Sequence, residues 1–318
     1  MFLMGKQKSS MNKNKGRILY ALFFLFVLLA IASCSEKEYK TSTKIYFGTT
    51  CTISIPSSNL AKYFKVLEDI EKKFSYRNDK SEIARINMNA GIKPVAVSED
   101  VYNLIMRSIN YSRATKGCFN PLLLPIIKLW GWDTGDTNVP NDIDIKKVLS
   151  LCVIEDIEFN DDNHSVFLKK EGMGIDLGGI VKGYAADELY KILLKDGIKE
   201  GIINLGGNVY VFGDKEFNVS IQKPYAERGV KDIIINVKNK SVVTSGAYER
   251  GFTKDGIYYH HIIDPKTGYP ATENYKSVTI ISENSEKADV FATAIFIGLD
   301  NLKEQLINNN PDIEVIIQ

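Results

Sequence analysis

An excess of charge of either sign is missing from this chain. Its 40 Lys and Arg stand against 39 Asp and Glu, a formal net charge of +1, so nothing in the charge points to nucleic acid or to an acidic surface as partner. Histidine is scarce: there are three, and two of them adjoin as His260-His261. Cysteine is scarce too. Cys34, Cys51, Cys118 and Cys152 show no metal-type spacing, which excludes a thiolate metal cluster and a disulfide-dense scaffold. The common nucleotide fingerprints are also absent: there is no Walker loop and no Gly-x-Gly-x-x-Gly before a helix. No internal repeat occurs. What remains is a chain of 318 residues, 44% apolar, enough for one large domain or two intimate ones with a substantial core.

The first residues differ from the rest. Lys6, Lys8, Lys13, Lys15 and Arg17 come without an acid, and an apolar run from Ile18 to Ala32 follows, ending at Ile31-Ala32-Ser33-Cys34. A basic region, a short apolar run and small residues predict a secretory signal over 1–33 rather than a spanning helix. Small residues before a Cys resemble a bacterial lipobox, which implies cleavage before Cys34 and a lipid on its sulfur. An uncleaved membrane anchor is the alternative, and either one tethers the protein outside the cytoplasm. Residues 34–43 then read as a polar linker ahead of a domain over 44–318. If Cys34 is lipidated, Cys51, Cys118 and Cys152 remain, read as buried thiols, with one disulfide among them as the alternative.

Periodicity outlines that domain. Lys44–Ile55 reads as a strand with an irregularity at Gly48, and Ser58–Phe74 as a helix with Leu60, Phe64, Leu67, Ile70 and Phe74 on one side. Ser81 caps a second helix, Glu99–Thr115 forms a third, and Asp142–Ser150 a short one. Ser165–Leu168, Gly174–Leu177, Gly201–Phe212 (broken at Gly206-Gly207), Phe217–Ile221, Asp232–Val237, Ser241–Thr244 and Tyr258–Ile263 read as strands. Glu286–Leu299 closes the list as a helix. Irregular alternation with hairpin-like turns predicts an α+β fold with a mainly antiparallel sheet, flanking helices and two closely packed subdomains.

The chemistry gathers around Gly174-Ile175-Asp176-Leu177-Gly178-Gly179-Ile180-Val181-Lys182-Gly183, which runs into a helical pattern ending near Gly197. Gly-Gly before a helix lets the backbone approach a ligand and aims N–H groups at anionic oxygens; a tight turn with Gly for packing is the other reading. Ile203-Asn204-Leu205-Gly206-Gly207-Asn208, Thr244-Ser245-Gly246-Ala247-Tyr248-Glu249-Arg250, His261-Ile262-Ile263-Asp264-Pro265 and Ala288-Asp289-Val290-Phe291-Ala292-Thr293 follow. Together and in this order they resemble the ApbE family, the FAD:protein FMN transferases, over nearly the whole chain after the leader.

The resemblance implies FAD contacts at Phe47, Tyr76, Cys118, Phe119, Asn120, Asp176, Lys182 and Ile263. Phe47 stands where the family has Met, Asn120 where it has Asp, and Leu122 where it has Thr. Without the family, Phe47 and Tyr76 read as core or surface aromatics and Lys182 as a solvated lysine at a helix start. Asp289 and Thr293, one helical turn apart, put a carboxylate and a hydroxyl on one face. That pair suits a hard cation, or else an Asp near a helix start beside a Thr bonded to its own backbone. The resemblance implies Mg²⁺ on Asp289, Thr293 and the Gly179 carbonyl, and attack of a target-protein Ser or Thr hydroxyl on FAD with release of AMP. His261 and Asp289 are the candidate bases, although a structural role for His261 stays open. An FAD pyrophosphatase and a non-catalytic FAD-binding lipoprotein are the competing functions. The family's acceptors imply a target among subunits of membrane redox complexes.

Overall fold

A computed structural model describes residues 38–318 apart from 133, 136, 228 and 273; the expected leader and Cys34 lie outside them. The chain opens with β1 (Lys40–Tyr46) and β2 (Thr49–Ile55), an antiparallel pair in which Tyr46 faces Thr49. The single strand expected over Lys44–Ile55 is therefore a hairpin. Its two turn residues, Phe47 and Gly48, both have left-handed φ (54° and 68°), the geometry that matches strand twist in two-residue hairpins. β1 also begins earlier than expected: Lys40 to Thr43, assigned above to the linker, pair with Ile55 to Thr52.

Helices α1 (Leu60–Phe74), α2 (Glu82–Met88), α3 (Glu99–Ala114), α4 (Leu124–Leu129) and α5 (Asp142–Leu149) follow, with the short strand β3 (Val95–Ala96) between α2 and α3. The cap expected at Ser81 is present, its hydroxyl accepting from Ala84 N at 2.9 Å. β4 (Ile157–Asn160) and β5 (Ser165–Leu168) join β3 in a small sheet, and α6 (Val181–Lys195) comes next. Gly174–Leu177 is not a strand. Ile175 exchanges hydrogen bonds with the Asn87 amide (2.7 and 2.9 Å), and Asp176 N donates to Pro121 O (2.8 Å), so side chain and loop take the place of a sheet neighbour.

β6 (Gly201–Leu205) and β7 (Asn208–Phe212) form a second hairpin across Gly206-Gly207, where one broken strand was expected. β8 (Phe217–Gln222), β9 (Lys231–Val237), β10 (Lys240–Gly246), β11 (Gly251–Lys254), β12 (Ile257–His260), β13 (Ser277–Ser282), α7 (Ser285–Asn309) and β14 (Glu314–Ile317) complete the order. The strand expected over Tyr258–Ile263 ends at His260, because Ile262 N donates to the His260 ring rather than to a strand.

Seven strands make the main sheet in the order β1-β2-β6-β7-β10-β13-β14, every neighbouring pair antiparallel. The fold is α+β, as the sequence predicts. On one face Ile53, Ile203, Tyr210, Val243 and Ile280 join side chains of α1, α6 and α7 in the large core. On the other, Val211, Val242 and Ile281 meet Phe217, Val219 and Val237 of the β8–β9 pair. A third cluster surrounds Trp130. Lys40–Gln318 is one compact unit, so its subdivision is one of cores rather than of separable pieces.

α6 packs tightly against α7 at Gly183, where an added Cβ would stand 2.3 Å from Ser285 O and 2.7 Å from Glu286 Cα. Backbone cannot step aside as a flexible side chain can. Gly183→Ala is therefore expected to cost about 1–3 kcal/mol as overpacking, read as a lower urea midpoint at unchanged slope.

Candidate active site

The Gly-Gly stretch delivers its groups to one point at the start of α6. Asp176 Oδ1 accepts from Gly178 N (2.9 Å), closing a turn, and Leu177 O accepts from Ile180 N (3.0 Å) and Val181 N (2.8 Å). Gly179 lies against the Phe119 ring; an added Cβ there would stand 3.2 Å from Cε2. Next, Gly183 N donates to Asp289 Oδ2 at 3.0 Å. The Lys182 ammonium bridges Gly178 O (3.3 Å) and Asp289 Oδ1 (3.4 Å). Asp289 is only 3% exposed, so its charge is stabilised by a helix N-terminus and a lysine. One turn along α7, Thr293 shares a 3.0 Å hydroxyl contact with Ser245 of β10.

The two helices cap each other. Asp289 of α7 takes an N–H of α6, while Asp187 of α6 takes Ser285 N and Glu286 N of α7, each at 2.9 Å. Burial pushes the Asp187 carboxyl up to about 6. Arg107 clamps Glu286 with two bonds (2.8 and 2.9 Å), which fixes the same helix start from α3. This part of α7 is thus held from α6, β10 and α3, and the Lys182 ammonium links Asp289 to the Gly178 carbonyl next to Gly179.

The expected flavin-side residues arrive from other turns. Phe47 is half-buried at the β1–β2 turn, with its N–H donating to Glu71 (2.5 Å). The adjacent Gly48 carbonyl accepts from Arg250 (3.5 Å). Tyr76 carries the Arg77 guanidinium over its ring at 4.7 Å. The charges of Arg77, Lys182 and Arg250 all bear on Asp176, yet burial outweighs them and its carboxyl is raised. Arg77, Arg250 and Ser245 are functional candidates that the sequence reading did not assign. Arg250 and Ser245 sit in motifs it singled out, and Arg77 follows Tyr76 directly.

Three expected contacts are committed within the protein. Asn120 accepts from Leu122 N and donates to Cys152 O, both at 2.8 Å, so its amide shapes the loop that carries Phe119. Ile263 is buried in the Trp130 cluster and bridges to Pro270, which leaves its backbone, not its side chain, for any ligand. The Cys118 thiol packs toward Gly298 of α7 and is raised by burial.

The ApbE family profile matches residues 47–317. The chain belongs to the ApbE family. Two relatives named FAD:protein FMN transferase are similar along most of its length: one from Treponema pallidum (strain Nichols), 33% identical and covering 85% of this chain and 83% of its own, and one from Klebsiella pneumoniae (strain 342), 36% identical and covering 82% and 83%. The crystal structure of the ApbE protein of Thermotoga maritima superposes with a TM-score of 0.81 at 32% identity, covering 88% of this chain and 94% of that one.

The adjoining histidines of this ApbE chain divide cleanly. His260 is 1% exposed; its Nε2 faces Ala271 O (2.9 Å) and its Nδ1 accepts from Ile262 N (3.2 Å), so it is neutral and structural. His261 is half-buried, with Nδ1 3.1 Å from Arg250 O. A carbonyl only accepts, so Nδ1 carries the proton and Nε2 is left as the basic nitrogen. Burial lowers its pKa to about 4, and the charges of Arg250 and Lys182 push the same way.

A cavity of about 670 Å³ lies elsewhere, lined by Glu99, Asp100, Asp187, Glu188, Glu283 and Glu286 against Arg107 and Lys191. It holds none of the residues expected to bind FAD or metal, and its carboxylates would repel a diphosphate.

Proposed function

We propose that this chain is a Mg²⁺-dependent FAD:protein FMN transferase acting on an extracytoplasmic target. The names of its relatives supply the reaction class. The observation that carries the reading is the buried Asp289 carboxylate, set against a helix N-terminus and a lysine beside the Gly-Gly stretch. The donor set also fits the ion. Among the described residues no group of three or more His, Cys, Asp or Glu could hold a metal; Asp289, the Thr293 hydroxyl and the Gly179 carbonyl are hard oxygens, few in number. Mg²⁺ is commonly bound in this way, with substrate phosphates and waters completing the shell. Lys182 already places a cation against the carboxylate. When bound, Mg²⁺ would neutralise charge on the diphosphate and polarise phosphorus toward attack.

This chain's own residues do the rest. The α6 N-terminus and Lys182 receive the diphosphate of FAD. Nε2 of His261 takes the proton of a Ser or Thr hydroxyl on the target. The hydroxyl oxygen bonds to the FMN-side phosphorus, the P–O bond to AMP breaks, and FMN stays on the target as a phosphoester. A secretory leader and lipid on Cys34 would anchor the enzyme outside the cytoplasm, facing a subunit of a membrane redox complex.

Incubation of the purified chain with FAD and Mg²⁺, with and without a candidate acceptor protein, tests this. Flavin fluorescence at the acceptor band of a denaturing gel supports transfer. Free FMN and AMP alone would make the protein a pyrophosphatase, and no turnover at all would make it a carrier.

A further inference from the structure

One row of side chains crosses the main sheet beneath the site. Cys51 pairs with Leu205, Leu205 with Asn208, and Val243 with Ile280. The β7–β10 ladder pairs Val209 with Val242, so the antiparallel register sets Asn208 beside Val243. Cys51, Leu205, Val243 and Ile280 are each 0% exposed, and Asn208 is 2% exposed. Four apolar side chains thus flank a single amide. Its Nδ2 has no hydrogen-bond partner among the described residues, a costly condition that native proteins rarely keep without a reason.

The register also says what lies above it. Along β10, Ser241 bonds Ser285 (2.8 Å) and Ser245 contacts Thr293 (3.0 Å). Val243 stands between those serines on the same face of the strand. Asp289 stands one helical turn from both Ser285 and Thr293, so Val243 underlies Asp289. Its neighbour Asn208 is the first residue after the Gly206-Gly207 turn, where Gly207 is exposed and nothing lies within 4 Å of an added Cβ. The lone donor is therefore in the last pair of the β6–β7 hairpin, one strand over from the residue that underlies Asp289, at a turn that opens to solvent.

We propose that Asn208 is a substrate-binding residue whose amide N–H donates to the diphosphate of FAD. The inference rests on the function proposed above and adds a donor to it. A neutral donor suits this place: a second lysine would meet Lys182, and a carboxylate would repel the phosphates. The buried amide weakens the ligand-free fold and strengthens the bound state, the trade expected of a functional polar group in a core.

Asn208→Leu separates the two effects. It is expected to melt about 2–4 °C higher than the parent, to bind FAD about tenfold more weakly in the presence of Mg²⁺, and to bind riboflavin, which lacks the diphosphate, with the same affinity. Asn208→Ala carries the same binding expectation should the leucine variant fail to fold. Equal FAD affinity in either folded variant overturns the proposal, as does an equal loss for riboflavin. Failure of the parent chain to bind FAD at all would instead overturn the assigned function.

Discussion

Asp289→Asn is expected to reduce FMN transfer by about 100-fold or more while leaving the fold intact. The asparagine oxygen can still accept from Gly183 N, which Asp289 Oδ2 holds at 3.0 Å, so the α6–α7 junction keeps its cap. What disappears is the charge, and with it the partner of Lys182 and the one anionic oxygen proposed for Mg²⁺. A metal at phosphoryl oxygens is worth several kcal/mol of transition-state stabilisation, and 1.36 kcal/mol is tenfold in rate. Asp289→Ala removes the cap as well and should also cost about 1–3 kcal/mol of stability, because a buried N–H is left unmatched. Urea melts of both variants beside transfer rates separate the two roles. Turnover unchanged in the asparagine variant would remove Asp289 from the metal site.

Much of this arrangement can be read without coordinates. The four-residue step from Asp289 to Thr293 puts both on one face of α7, and the Ser81 cap follows from local chemistry. What escapes a linear reading is set by long-range partners. Phe47 at φ 54° turns a supposed single strand into a hairpin, and a bulky residue there announces no turn. Gly174–Leu177 has the composition of a strand but bonds to Asn87 and Pro121. Asn120 stands where a ligand contact was expected, yet its amide closes on Leu122 and Cys152. The helix expected over Glu286–Leu299 does break at Leu299, whose φ of 55° and ψ of −152° are not helical; the second helical segment that carries the chain on to Asn309 was not expected. Reciprocal capping by Asp187 and Asp289 is equally hidden, since each carboxylate acts on the other's helix about a hundred residues away.

The second large effect concerns His261. His261→Ala is expected to slow transfer by about 10²–10⁴-fold, the usual worth of a general base, with FAD affinity little changed. The decisive readout is pH. An ordinary imidazole would give a rate that falls below about pH 6.5, but burial here lowers the pKa to about 4, helped by Arg250, His260 and Lys182. Nε2 then stays unprotonated through the physiological range, and the parent rate should be flat down to about pH 5 before it drops. Stability carries the same sign: the unfolded chain binds a proton near pH 6.5 that the folded chain refuses until about 4. That contribution is full above 6.5 and lost as pH falls toward 4. Asp187, raised from 3.8 to about 6, works in the opposite direction over 3.8–6 and blunts any stability signal, which makes the rate profile the cleaner measurement. A rate inflection near 6.5 would mean that the ring is solvated during turnover. A rate within a few-fold of the parent after His261→Ala would transfer the base role to Asp289.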